Sequence, residues 1–468
     1  MRRLDEDASS GWLDTFSILL LARSFHKRSK KGKIMKLKLC TFVVFAVVAI
    51  LFAPANRSNA KVSGHAPVKT VSSLPASTVL DDWATAFSSF GVAVGENERR
   101  TLIRTAIVQL AMFDAVNAAV DGRFCGFASK PASAPDASPE AAAIRAAYIV
   151  ALNEFQTPTA IAMIESTYSA SLASVIASQD AIAIAHGIEV GETAANNVID
   201  ARKNDHRNDP ELTGYTPGSG PGVWIPTPNG TINPQSPFLQ FVMPFGYDEP
   251  SRFRPAPPPA LDSKTYTNDY NEIKDLGRSS ETSRTAEQSA TAQFWSPSAT
   301  ALWIANVRSL ARSMDLLTAA RFEAIGIACA TNGLLAAWDG KYTYMFWRPV
   351  TAIRAGDIDD NPDTQADPSW TPFIVTPSHP EYPAAHTTVG ASVLGFYTVW
   401  FDTDQFALQF KGLNGAVRNY SSVNEIHAEE GNARVWGGMH FRNSTEVGTA
   451  VGSKIGKYTA THLLKPLD

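Results

Sequence analysis

A chain of 468 residues, 44% hydrophobic and 18% charged, has globular composition and the length for a large core in one or two domains. Its formal net charge of -4 lacks the basic excess with which proteins hold nucleic acid, so no nucleic-acid partner is expected.

In chain order, the first legible element belongs to export rather than to a fold. A basic cluster, HKRSKKGK at 26–33, precedes Met35, from which the chain reads MKLKLCTFVVFAVVAILFAPANRSNA. Lys36 and Lys38 make a charged start and Leu39 to Ala53 an apolar run. SNA at 58–60 then places small residues where a signal peptidase reads. Residues 35–60 are expected to be a signal peptide, with an uncleaved anchor as the alternative. Residues 1–34 are then a basic extension or a mis-assigned start. The apolar run is short for a membrane span. A secreted or periplasmic protein follows, with no stable span after cleavage. Cys40 falls in the signal, leaving Cys125 and Cys329 either to pair or to stay as buried thiols.

The remainder reads as helices. In RTLIRTAIVQLAMFDAVNAAV (100–120), Leu102, Ile103, Ile107, Leu110 and Phe113 recur at helical spacing. SPEAAAIRAAYIVALNEF (138–155) opens with Ser138 as N-cap and Pro139 at the first helical position. Two more helices are expected near 157–176 and 179–202. Residues 204–262, rich in Pro and Gly, predict an irregular belt, lid or linker. Helical patterns resume at 263–277, 282–295 and 301–338. A second irregular stretch occupies 354–383, and STEVGTAVGSKIGKYTATHLL is again helical. Strand alternation is scarce. The chain is therefore expected to be all-α, one large domain over 61–468, with N-terminal helices (77–203), the belt, and a C-terminal half (263–468).

Three segments of that half carry unusual polar residues. KYTYMFWRP (341–349) sets Lys341 and Arg348 seven apart among aromatics. A continuous helix would put them on one face, two turns apart, though Pro349 predicts that the helix ends at Arg348. PAAHTT (383–388) places His386 where a helix starts near Thr387. Unpaired amides there attract anions, and small side chains at Ala384 and Ala385 let one approach. RVWGGMH (434–440) supplies the donor fork of Arg434, two glycines, and His440, whose neutral nitrogen can ligate a metal or attack phosphorus.

Together these segments resemble the signature of the superfamily joining vanadium-dependent haloperoxidases to type 2 phosphatidic acid phosphatases. That signature is Lys, six residues, Arg-Pro; Pro-Ser-Gly-His; then Arg, five residues, His, three residues, Asp. STVLDDWATAF, QLAMFDAVNAAV, SRTAEQSATAQFW and GKYTYMFWRPVTAIR extend the likeness to the bacterial and plant haloperoxidase-like branch over most of 77–462. The resemblance implies a helical-bundle fold with the site in the core of a four-helix bundle. It implies that Lys341, Arg348, Ala385 and Arg434 bind vanadate, that His440 is its covalent ligand, that His386 handles protons, and that His379 stands near the halide. Phosphate is expected to compete at the same site. Implied partners are hydrogen peroxide, halide and a small organic substrate; a homo-oligomer is compatible.

Two positions depart from the signature. The Ser-Gly pair is Ala384-Ala385, which removes a hydroxyl donor. The terminal Asp is Ser444, so a carboxylate to orient His440 is expected to be missing, and nothing places the nearby Glu446 on it. That absence weighs most against a nucleophilic histidine. Elsewhere, DIDDNPDT (357–364) lacks the glycine and closing glutamate of a calcium loop and reads as a solvated acidic loop. Glu425, His427, Glu429 and Glu430 read as a polar helix face. Three functions follow: a vanadate-dependent haloperoxidase, an acid phosphatase with a phosphohistidine intermediate, or a secreted binding protein with a decayed oxyanion site.

Overall fold

The structure, a computed structural model, describes residues 78–128, 133–228, 230–412 and 415–467. The expected signal segment lies outside the described residues. The first helix, α1 (Thr78–Ala93), buries Leu80, Trp83, Phe87 and Phe90 along one face. Asn97 caps α2 (Glu98–Ala119) by accepting from the Arg99 amide. By length and composition α2 could cross a membrane. Here it is a core helix, buried on nearly every side, and it carries buried Arg104, Gln109, Asp114 and Asn117. Ser138 caps α3 (Pro139–Glu154), with Pro at its first position as the sequence predicts. Two further helices, α4 (Pro158–Ile176) and α5 (Ala181–Arg202), complete this half.

Between α5 and α6 (Lys264–Leu276) the described residues of the belt contain two short 3-10 turns, Pro237–Phe241 and Pro250–Phe253. It is structural, reaching across to the C-terminal half. The Gln235 carbonyl accepts from Trp338 and Tyr342, Arg254 pairs with Asp339 at 2.6 Å, and Val223 bridges to Phe346. A Thr285–Gln288 capping box starts α7 (Ala286–Phe294). The single pattern expected over 301–338 is two helices, α8 (Ala299–Ala311) and α9 (Leu316–Tyr344). Asp315 separates them by capping α9, accepting from the Thr318 amide.

After the short α10 (Pro349–Arg354) and the second irregular stretch come α11 (Ala385–Phe401), α12 (Val423–Trp436) and α13 (Arg442–His462). A hairpin of β1 (Leu408–Lys411) and β2 (Val417–Tyr420) lies between α11 and α12, pairing Leu408 with Tyr420. The sequence reading does not contain it, because four-residue strands give too short an alternation to register. Phe410 anchors it against Trp303, with ring centroids 4.9 Å apart.

One hydrophobic core runs through both halves, from Trp83 and Ile107 to Leu334, Val389 and Phe396. At its C-terminal end α9, α11 and α13 pack tightly. A stripe of Gly448, Gly452 and Gly456 on α13 receives the α11 backbone, and a Cβ on Gly456 would overlap the Ser392 carbonyl. Cys125 and Cys329 are free thiols, the latter buried.

Candidate active site

Lys341 sits in the last turn of α9, fully buried. The helix does not continue to Arg348. Met345 turns left-handed at φ 47°, its amide still bonded to the Lys341 carbonyl. The belt then takes over, Trp224 donating to the Met345 carbonyl and Trp347 donating to that of Gly222. Arg348 is the extended residue before Pro349, as a pre-proline position favours. The shared helix face expected for Lys341 and Arg348 is thus corrected: a bend, not helical periodicity, brings them together.

Residues 379–381 form the hub. The Lys341 ammonium donates to the carbonyls of Pro380 at 2.9 Å and Glu381 at 2.7 Å. Arg348 Nε donates to the His379 carbonyl at 2.8 Å, and its other nitrogens reach the Met439 carbonyl at 2.9 Å and His379 Nδ1 at 3.0 Å. The His379 ring lies 4.9 Å from that of Trp338.

Just beyond the hub, α11 begins at Ala385, two residues before the expected start, with Ala384 as N-cap. His386 therefore sits in its first turn, among amides with no intrahelical acceptor. Its Nε2 lies 2.9 Å from the Pro297 carbonyl. A carbonyl only accepts, so Nε2 carries the proton and Nδ1 the lone pair.

The two glycines of RVWGGMH close α12 with a Schellman turn. Gly438, at φ 75°, donates to Val435 O, and Met439 donates to Arg434 O. This reversal sets Arg434 and His440 on either side of Met439. Arg434 is fully buried, bonded to the Trp295 carbonyl and Met439 Sδ, and its Nε has no hydrogen-bond partner among the described residues.

His440 holds the largest departure from the sequence reading. Its Nδ1 lies 2.9 Å from Glu381 Oε1, which also accepts the Phe441 amide at 3.0 Å. The second Glu381 oxygen accepts from Ser444 Oγ at 2.9 Å. A carboxylate therefore does meet His440, and the expectation of its absence is overturned. It comes from the loop before α11, while Glu446 is exposed. On the other side Arg348 lies 3.2 Å from His440 Nε2 and can only donate. Both contacts fix the same tautomer, Nδ1 protonated and Nε2 bearing the lone pair.

His379, Ala385, His386 and His440 line a cavity of about 300 Å³, with Trp338, Leu334, Val389 and Met439 as apolar walls. Lys341, Arg348 and Arg434 stand behind these residues, and all their hydrogen bonds among the described residues go to carbonyls, imidazoles or a thioether. Two carboxyls lie near them, and burial pushes Glu381 up to about 7 and Glu430 up to about 8. Burial also pushes Lys341 well below its ordinary value and both arginines to about 10. His386 and His440 are held far below the usual histidine range, by burial first and then by the neighbouring cations.

Arg99, from α2, also lines the cavity and lies over Trp338, 5.0 Å from the ring centroid. Sequence reasoning misses Arg99 and Glu381. Arg99 lies in the distant N-terminal half with no motif around it, whereas Glu381 stands in HPEYP (379–383), which runs into the PAAHTT segment.

The polar set at 425–430 has separate partners: Glu425 bonds Ser421, Glu429 bonds Trp295, Tyr420 and Arg418, and Glu430 bonds Trp303. In DIDDNPDT, Asp359 holds Thr364 and the Asn361 amide.

Residues 322–468 match a family described as the VCPO second helical-bundle domain. The chain is 26% identical over 328 residues to the vanadium chloroperoxidase of Curvularia inaequalis, covering 55% of this chain and 53% of the relative. It thus spans about half the length of that curated relative. Among solved structures, one described as the first bacterial vanadium-dependent iodoperoxidase matches with TM-score 0.70 at 22% identity, covering 86% of this chain and all of that one. A holo-type bacterial vanadium-dependent chloroperoxidase matches with TM-score 0.58 at 19% identity, covering 84% and 93% of the two chains. Likeness at these identities gives the fold, the helical bundle expected from the sequence.

Proposed function

We infer that this chain, which falls in the superfamily of the vanadium haloperoxidases, is a vanadate-dependent haloperoxidase that oxidises halide with hydrogen peroxide and thereby halogenates small organic substrates. One observation carries the reading. Three buried cations, Lys341, Arg348 and Arg434, converge behind one cavity without an ion-pairing carboxylate among the described residues. Buried charge is costly unless an opposite charge meets it, so the site is built to take an oxyanion.

The residues fit vanadate. The orphaned Arg434 Nε is a buried donor in need of an acceptor, and His440 Nε2 presents the lone pair a covalent ligand needs. When bound, vanadate supplies a Lewis-acidic centre that activates hydrogen peroxide. Lys341, Arg348 and Arg434 would hold its oxygens, helped by the amides at the start of α11. His386 would take a proton on Nδ1 from incoming peroxide and return it later, because the Pro297 carbonyl keeps Nε2 occupied. Trp338, Leu334 and Val389 would limit water around the reacting atoms.

A phosphatase reading has its own support. The Glu381–His440 pair is also what a nucleophilic imidazole needs. The two readings separate on vanadate titration, dye bromination with peroxide and bromide, and acid-labile phosphate trapping in the parent, His386→Ala and His440→Ala proteins. For a haloperoxidase, His440→Ala loses tight vanadate binding and activity together. His386→Ala keeps much of its vanadate while losing roughly a hundred- to ten-thousand-fold in rate. Trapped phosphohistidine without halide oxidation would establish the phosphatase. Inactivity in all assays of a folded protein would leave the decayed binding site.

A further inference from the structure

We propose that Glu381 is the positioning residue for His440, supplying from the loop before α11 the carboxylate that the signature otherwise places on α13, where this chain has Ser444. The proposal rests on the oxyanion reading above and concerns how its ligand histidine is held.

Five contacts carry it. Glu381 Oε1 accepts from His440 Nδ1 and from the Phe441 amide, so it grips both the imidazole and the backbone beside it. Glu381 Oε2 accepts from Ser444 Oγ. The residue at the signature's Asp position thus touches the carboxylate that stands in for it. The Glu381 carbonyl accepts from Lys341. The Glu381 amide is tied to the Phe346 carbonyl at 2.9 Å, beside the bend that carries Arg348. Glu381 is fully buried, so its carboxyl has no solvent alternative to these donors.

The consequence is chemical. Imidazole exchanges its proton between two nitrogens, and only the form protonated at Nδ1 presents a lone pair at Nε2. A carboxylate on Nδ1 selects that form, fixes the ring plane and raises the basicity of Nε2. Ser444 cannot do this alone, since its hydroxyl carries no charge and is already committed to Glu381. Because Ser444 Oγ lies 2.9 Å from Glu381 Oε2, an aspartate at 444 would bring its carboxylate to the place that Glu381 now fills. The carboxylate has changed its position in the sequence while keeping its place in space.

That equivalence gives the test. In full-length protein, vanadate and phosphate affinities are measured by calorimetry for the parent, Glu381→Ala, Glu381→Gln and the double variant Glu381→Ala/Ser444→Asp. Nitrogen-15 NMR reports the His440 tautomer in each. Glu381→Ala is expected to weaken vanadate binding roughly 10- to 100-fold and to lower the Nδ1-protonated fraction of His440, which Arg348 alone then favours. The double variant is expected to regain both, which a purely structural role for Glu381 would not produce. Glu381→Gln keeps the volume and covers the case in which the alanine variant does not fold. Parent-like vanadate affinity and an unchanged tautomer in either single variant would overturn the proposal, as would a folded double variant with neither regained. A parent that binds no oxyanion would sink the functional reading instead, while the tautomer comparison would still decide the role of Glu381.

Discussion

Replacing Arg348 by alanine should separate binding from folding. Holding the arginine at about 10 instead of 12.5 corresponds to a burial penalty of roughly 3 kcal/mol, at about 1.4 kcal/mol per tenfold. Removing it relieves that penalty. The substitution also strips the donor from the buried carbonyls of His379 and Met439, at roughly 1–3 kcal/mol each. The two effects nearly offset, so the ligand-free variant should lose no more than about 3 kcal/mol. Oxyanion binding has no such compensation. Loss of one preorganised donor costs about 3–4 kcal/mol, on the order of a hundred- to a thousand-fold. With vanadate or phosphate at a hundred times the parent Kd, the parent gains about 2.7 kcal/mol of stability. The variant should then gain under about 0.5 kcal/mol. Urea unfolding with and without oxyanion reads both quantities. A parent-like gain in Arg348→Ala would refute the cradle, and a variant that unfolds without ligand would refute the offset.

Glu323 in α9 is buried with no hydrogen-bond partner on either oxygen among the described residues, and burial pushes it up to about 8. Its stabilising contribution is whole below the unfolded value of 4.5 and is lost as pH rises through about 8. Glu323→Gln should flatten that loss between pH 4.5 and about 8, and identical pH–stability curves for variant and parent would disprove it. Gly456→Ala forces a methyl group into the Ser392 carbonyl and should cost roughly 1–3 kcal/mol in chemical denaturation; an unchanged midpoint would mean that α11 and α13 separate freely. Export predicts that N-terminal sequencing of the secreted protein starts near residue 61, and an intact Met1 or Met35 would exclude cleavage.

Local patterns were enough for most of the helices, though not for the break that divides 301–338 into α8 and α9. Ser138 followed by Pro139 marks a start by backbone chemistry alone, and the apolar spacing of 100–120 fixes α2 whatever packs on it. Gly437-Gly438 makes a continuous helix from Arg434 to His440 unexpected, and the turn that forms there is local in its hydrogen bonds. What lay beyond sequence was every contact made at long range. Lys341 and Arg348 meet through a left-handed bend held by the belt at Gly222 and Trp224, and Arg99 arrives from α2. Most of all, Glu381 reaches His440 from the loop before α11, whereas the resemblance places a carboxylate at position 444. Periodicity and capping act over a few residues and are legible along the chain. A hydrogen bond depends only on where two atoms finish in space, so the same carboxylate can come from either side of the site, and only the folded chain decides which.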